Sequence, residues 1–294
     1  MNDRTDLAME RAVPMQEGLQ GITIEQEEKC GAEITRVEII SRDAAARIGK
    51  PCGHYWTLCH PALPALEPEE RMEIARLVAQ TLRMLLPKSG NVLVLGLGNR
   101  RMTADALGPR TVDGVLVTRH LDVKTLRSVS ALAPGVMGVT GIETAEMAKG
   151  LIRQLKPAAI IVVDALAAME TGHICTTIQV TDTGIHPGSG VGNHRKGVTQ
   201  ETMHVPVIAV GVPMVVYAST IVRDALRRLI ATEKNAADAD VLAEELASNM
   251  PGEMVVTPRD IDEVVAGLGD LLALALNAAL QPAMAMEELS LYLH

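Results

Sequence analysis

From residue 91 the chain alternates two kinds of stretch: short runs of apolar residues, and longer segments with helical periodicity. Asn91-Val92-Leu93-Val94-Leu95, Ala158-Ala159-Ile160-Ile161-Val162-Val163 and Val205-Pro206-Val207-Ile208-Ala209-Val210 are the apolar runs. Runs of this kind form strands covered on both faces. Gly141–Leu155 and Met214–Ile230 read as amphipathic helices. Thr257–Ala283 opens Thr-Pro-Arg-Asp, a helix start with proline at its first position, and continues as a long apolar-rich helix. The alternation predicts an α/β fold of three layers, a mainly parallel sheet with helices on both faces.

The first ninety residues follow another pattern. Residues 1–20 are polar and Met-rich and predict a mobile arm. Gly21–Ile24 and Ala32–Ile39 alternate as strands do. Glu69–Leu86 predicts a helix, with glutamates at its positive end and Pro87 behind it. The expected organisation is the arm 1–20, then one domain over 21–294. Its N-terminal β/α elaboration spans 21–87 and its core 88–283.

Composition removes some functions. There is no Phe, one Trp and three Tyr, so stacking bases on aromatic side chains is disfavoured. The net charge is −9, and no basic stripe is longer than Asn193-His194-Arg195-Lys196; no nucleic-acid partner is expected. No apolar run approaches the ~18 residues of a membrane span, and the N-terminus is too polar for a signal peptide. Cys30, Cys52, Cys59 and Cys175 are irregularly spaced, which predicts reduced thiols in a cytoplasmic setting.

Open parallel sheets bind their ligands beyond the carboxyl ends of the strands. The first apolar run leads into Gly96-Leu97-Gly98-Asn99 and on to Asp105; the second ends in Asp164. A carboxylate at the end of a buried strand is costly unless it is paired or used. Asp164 and Asp105 therefore serve either as helix-capping residues or as chemical groups. Two carboxylates in one partly dry cleft share a proton, giving one acid and one base. Residues 184–197 hold five glycines in fourteen positions, which points to close backbone approach or positive φ in that loop. His186 is either a base, a ligand or a loop-stabilising side chain. Gly96-Leu97-Gly98 is a weak dinucleotide signal because Arg101 stands where the third glycine belongs. Asp182-Thr183-Gly184 matches the tripeptide of pepsin-like enzymes, but occurs once in an α/β chain and is better read as coincidence. Cys52, Cys59 and His60 lack a second metal half-site. No G-x-S-x-G elbow is present, so a serine hydrolase is not supported.

Several of these segments together resemble the spore germination protease family, the GPR endopeptidases. They are Gly96–Asn99 with Thr103–Pro109, Thr118–Leu121, Ala133–Thr144, Val163–Ala167, Thr177–Asp182 through Asn193–Lys196, Val205–Pro213 and Val256–Asp262. The resemblance implies an atypical aspartic peptidase, without cofactor, in the cytoplasm of the forespore or spore core. Its implied substrates are the small acid-soluble spore proteins, and its implied assembly is a homotetramer. By motif the two family aspartates fall on Asp105 and Asp164. Asn99, Asp182, His186, Gly188, Gly190 and Asn193 fall on the surrounding cleft and loop. The family enzyme is made as a zymogen that removes its own N-terminal segment. Arg4-Thr5-Asp6-Leu7-Ala8-Met9-Glu10 resembles the processing site, which places the cut between Asp6 and Leu7 and the propeptide at 1–6. The sequence departs from the family at Tyr217, where Asp is usual, and at His194, where Lys is usual. A more distant likeness links the fold to hydrogenase maturation peptidases. It raises a metal-dependent alternative in which Asp105, Asp164 and His186 hold an ion. A non-catalytic binding member of the family is the remaining alternative.

Overall fold

The computed structural model describes residues 5–121, 123–186, 196–230, 245 and 254–292. The described residues form one nine-stranded sheet. Its strands are β1 (Ile22–Lys29), β2 (Ala32–Ile39), β3 (Gly53–Cys59), β4 (Val92–Gly96), β5 (Val129–Leu132), β6 (Ala159–Ala168), β7 (Thr177–Thr181), β8 (Val207–Tyr217) and β9 (Val255–Val256). The order is β1-β2-β3-β7-β8-β6-β4-β5, with β9 on β8. Strands β8, β6, β4 and β5 are parallel neighbours. The N-terminal hairpin strands and β3 extend this sheet through antiparallel pairing of β3 with β7 and β7 with β8. The predicted α/β fold is present, and residues 22–59 are continuous with its sheet.

The continuous apolar runs follow from burial on both faces. Val92 and Val94 of β4 and Ile161 and Val163 of β6 face a layer made by the helices Pro68–Leu85, Leu107–Asp113 and Ile261–Leu280. Leu93, Leu95, Ile160 and Val162 face the opposite way, against the Thr144–Leu155 helix and Met203. Pro68–Leu85 begins with a reciprocal capping box between Glu67 and Glu70 and proline at its first position. Ile261–Leu280 is long and apolar enough by length and composition to cross a membrane. Here it is largely buried, packed on Pro68–Leu85 and Leu107–Asp113.

Three expectations need correction. The first part of the segment read as a mobile arm, residues 5–12, is packed: Thr5, Leu7, Ala8, Glu10 and Ala12 are all buried. Its few apolar residues have no period, and their partners, such as Leu166 and Val216, lie far off in sequence. The helix expected over Met214–Ile230 starts at Ala218, because β8 runs on to Tyr217 and holds β9 at Val216 and Tyr217. Val212, Met214 and Val216 are buried on a strand, where short apolar stretches mimic helical spacing. Finally, Asp164 ends an apolar run but not its strand, since β6 continues to Ala168 beside β8.

Candidate active site

The chain leaves β4 at Gly96 and returns through a 3-10 turn, Thr103–Asp105, directly before the Leu107–Asp113 helix. The Asn99 N–H donates both to the Asp105 carbonyl (2.9 Å) and to its carboxylate Oδ2 (3.0 Å). The turn fits only because two glycines let backbone meet backbone. At Gly98, with φ +115°, a Cβ would lie 1.9 Å from the Asp105 carbonyl oxygen. At Gly108 it would lie 2.3 Å and 2.4 Å from the carbonyls of Leu97 and Val163. The glycines thus place Asp105 against the end of β4 and the middle of β6.

Asp164 is 6% exposed, and its Oδ1 accepts the Ala165 N–H at 2.9 Å. Asp105 and Asp164 line the same cavity of about 370 Å3, together with Asn99, His186 and Asp6. That volume suits a ligand the size of a short peptide segment.

The fifth wall residue belongs to the N-terminal segment, which leads into the short helix Met9–Ala12. The Asp6 N–H donates to the Ala167 carbonyl and the Ala167 N–H donates to the Asp6 carboxylate, both at 2.9 Å. Lys50 Nζ donates to the Thr5 carbonyl at 2.8 Å. Burial holds the Lys50 pKa below the ordinary lysine value, with the Asp6 carboxylate pulling the other way. Gln179 grips the backbone at two points. Its Nε2 donates to the Asp6 carbonyl (3.0 Å) and its Oε1 accepts the Ala8 N–H (2.8 Å). Leu7 is fully buried against Leu166, Ala168 and Val216.

Glu10 anchors the far end. Its carboxylate accepts the N–H groups of Met169 (2.7 Å) and Glu170 (2.9 Å), pairs with His173 Nδ1 (2.8 Å), and accepts a hydrogen bond from the Thr5 hydroxyl. Burial works to lower the His173 pKa, but the hydrogen bond and charge of Glu10 outweigh it and the net shift is upward.

A family model for germination protease matches residues 3–232. The chain belongs to the germination protease family. It is 40% identical to the germination protease of Caldanaerobacter subterraneus subsp. tengcongensis, over 99% of this chain and 98% of that one. It is 36% identical to that of Clostridium perfringens, over 100% and 99%, and 35% identical to that of Bacillus cytotoxicus, over 99% and 97%. A NiFe hydrogenase maturation protease, HycI of Thermococcus kodakarensis, superposes with a TM-score of 0.36 at 18% identity, covering 67% of this chain and 98% of that one. As a family member the chain is a peptidase.

Within this germination protease fold the sequence-predicted residues separate into groups. Asp105, Asp164, Asn99 and His186 meet in one cavity. Asn99 also shapes the turn, its Oδ1 accepting the Arg101 N–H. His186 packs on Gly197 just inside the Ile185–Val198 bridge. Asp182 is placed elsewhere: it accepts the N–H and pairs with Nδ1 of His54, both at 2.8 Å, and His54 reaches Glu38 on its other side. Its job there is to fasten β3 to the end of β7. Gly188, Gly190, Asn193, His194 and Arg195 lie outside the described residues. Among the described residues no group of three His, Cys, Asp or Glu side chains is gathered closely enough to hold a metal ion. The donors Asp105, Asp164 and His186 do not fit such a centre. Cys30, Cys52, Cys59 and Cys175 are free thiols, and burial pushes the Cys175 pKa up to about 12.

Sequence reasoning missed Lys50, Gln179, Glu10 and His173. One signal was available for Gln179. Strand β7 is buried along its whole length, yet Thr177, Gln179 and Thr181 put polar side chains on one of its faces.

Proposed function

We propose that the protein is an aspartic-type endopeptidase in which Asp105 and Asp164 share one proton. It is made as a zymogen that cuts itself between Asp6 and Leu7. The observation that carries this reading is the company of Asp6: it lines one cavity with both aspartates, while the chain on either side of the Asp6–Leu7 bond is held by backbone hydrogen bonds. One carboxylate takes a proton from a water as that water attacks the Asp6 carbonyl carbon; the other delivers its proton to the leaving nitrogen of Leu7. The pair titrates jointly, so acid and base are roles of the dyad.

The bound segment also supports a substrate reading. An acidic side chain is received before the cut by the Ala167 N–H, near Lys50, and an apolar one after it by Leu166, Ala168 and Val216. A second acidic side chain is received four residues on, at Glu10. Together with membership of the family, this favours the small acid-soluble spore proteins as substrates, cut after Glu or Asp in the spore core by a homotetramer.

Incubating the purified protein with a small acid-soluble spore protein tests the reading. Discrete fragments ending in Glu or Asp are expected. A stable complex without cleavage would favour a binding role instead.

A further inference from the structure

We infer that Gln179 is a catalytic residue, donating its amide N–H to the carbonyl oxygen of the bond being cut. The inference rests on the proposed reading of the Asp6–Leu7 bond and adds a group to its chemistry.

Gln179 is 6% exposed and sits in the middle of β7. The register across the sheet runs Thr35, Thr57, Gln179, Gly211, Asp164. Residues paired in this way point to the same face, so Gln179 and Asp164 share a face on either side of Gly211. The Leu166 side chain covers Gly211, 2.6 Å from where a Cβ would stand, and Leu7 of the N-terminal segment packs on Leu166. Gln179 Oε1 must be the acceptor for the Ala8 N–H at 2.8 Å, which fixes the amide and leaves Nε2 for the Asp6 carbonyl at 3.0 Å. One buried side chain therefore holds the carbonyl before the cut and the amide just beyond Leu7.

This geometry is that of an oxyanion donor. The water oxygen bonds to the Asp6 carbonyl carbon and the π pair moves onto the carbonyl oxygen, where the Gln179 N–H meets it. When the intermediate collapses, the C–N bond breaks, the Leu7 nitrogen takes a proton from the dyad, and a carboxyl group is left on Asp6. The donor is already oriented by its second hydrogen bond, so it strengthens as charge develops without reorganising. The side chain is neutral and adds no charge beside the dyad.

Gln179→Met removes both hydrogen bonds in a side chain of similar size. Gln179→Glu keeps the acceptor for the backbone N–H and removes the donor. Self-cleavage of the full-length chain, followed by intact mass, and turnover of a synthetic peptide copying residues 3–12 are measured for both, beside thermal melting. Loss of one oxyanion donor predicts a fall in kcat of roughly 10²–10³-fold. For the neutral Gln179→Met the fall is expected in kcat more than in KM, which a merely structural role would not produce; Gln179→Glu, which also sets a carboxylate against the Asp6 carbonyl, is expected to fall further. In the unaltered enzyme, a peptide with an ester oxygen in place of the amide N–H between Leu7 and Ala8 loses the bond to Oε1. It is expected to be cut more slowly at the unaltered Asp–Leu bond. Wild-type kcat in Gln179→Glu, a loss confined to KM, or equal rates for amide and ester peptides would each overturn the proposal. Those results leave the dyad standing, because inactivity of Asp105→Asn and Asp164→Asn tests it separately.

Discussion

Gln179 and Asp164 stand at matched register positions two strands apart, with Gly211 between them. A Cβ at the middle position would meet the Leu166 side chain at 2.6 Å; glycine makes room for that side chain, on which Leu7 packs. The N-terminal segment lies beside these residues, with Asp6 hydrogen-bonded to both Ala167 and Gln179.

Gly98→Ala is expected to damage the site from the backbone outward. The new Cβ meets the Asp105 carbonyl at 1.9 Å, in a φ of +115° that L-residues avoid. The turn must shift, carrying the Asp105 carboxylate with it. Left-handed backbone alone costs roughly 1–2 kcal/mol. A lowered melting temperature with a larger proportional loss of peptidase activity is the expected pair of results; unchanged activity would separate Asp105 from the chemistry.

Lys50→Met should weaken the grip on the segment before the cut. The Lys50 ammonium holds the Thr5 carbonyl at 2.8 Å and shares its surroundings with the Asp6 carboxylate. A hydrogen bond to a charged group contributes roughly 1.5–3 kcal/mol. Peptides with Asp or Glu before the cut should show a raised KM, and Lys50→Glu should reject them more strongly still. Equal KM values for acidic and neutral peptides in the unaltered enzyme would remove Lys50 from specificity.

The Glu10–His173 pair gives docking of the N-terminal segment a pH dependence. The His173 pKa is raised in the folded chain. Its stabilising contribution is therefore complete below the ordinary histidine value near ~6.5 and is lost as pH rises through the folded-state value. In the Asp164→Asn chain, which is expected to remain uncut, amide hydrogen exchange of residues 7–12 should be slower at pH 6 than at pH 8 after correction for intrinsic rates. His173→Gln should remove that difference. A pH-independent exchange ratio in the parent would contradict the linkage.

The sheet core was legible because β4, β6 and the first part of β8 are covered on both faces and so are apolar at every position. That Asp105 and Asp164 share one cavity was legible for a related reason: both come after apolar runs whose strands lie side by side in the sheet. The N-terminal segment was not legible. Leu7, Ala8 and Ala12 carry no period, and what orders them is contact with β2, β3, β6 and β8, far away in sequence. Lys50, Gln179 and His173 are ordinary polar residues until that segment is laid beside them. The Asp182 tripeptide was read as coincidence, and the residue's partner, His54, lies 128 positions away, where no short motif reports it.

The proposed self-cleavage requires the carboxyl groups of Asp105 and Asp164 to act together on the Asp6–Leu7 bond. Intact mass measured over time on the purified full-length chain, and on its Asp105→Asn and Asp164→Asn forms, tests it most directly. The account predicts that the unaltered chain loses residues 1–6 while both variants stay whole, folded and with unchanged melting temperature. Loss of the same six residues from either variant at the normal rate would contradict it.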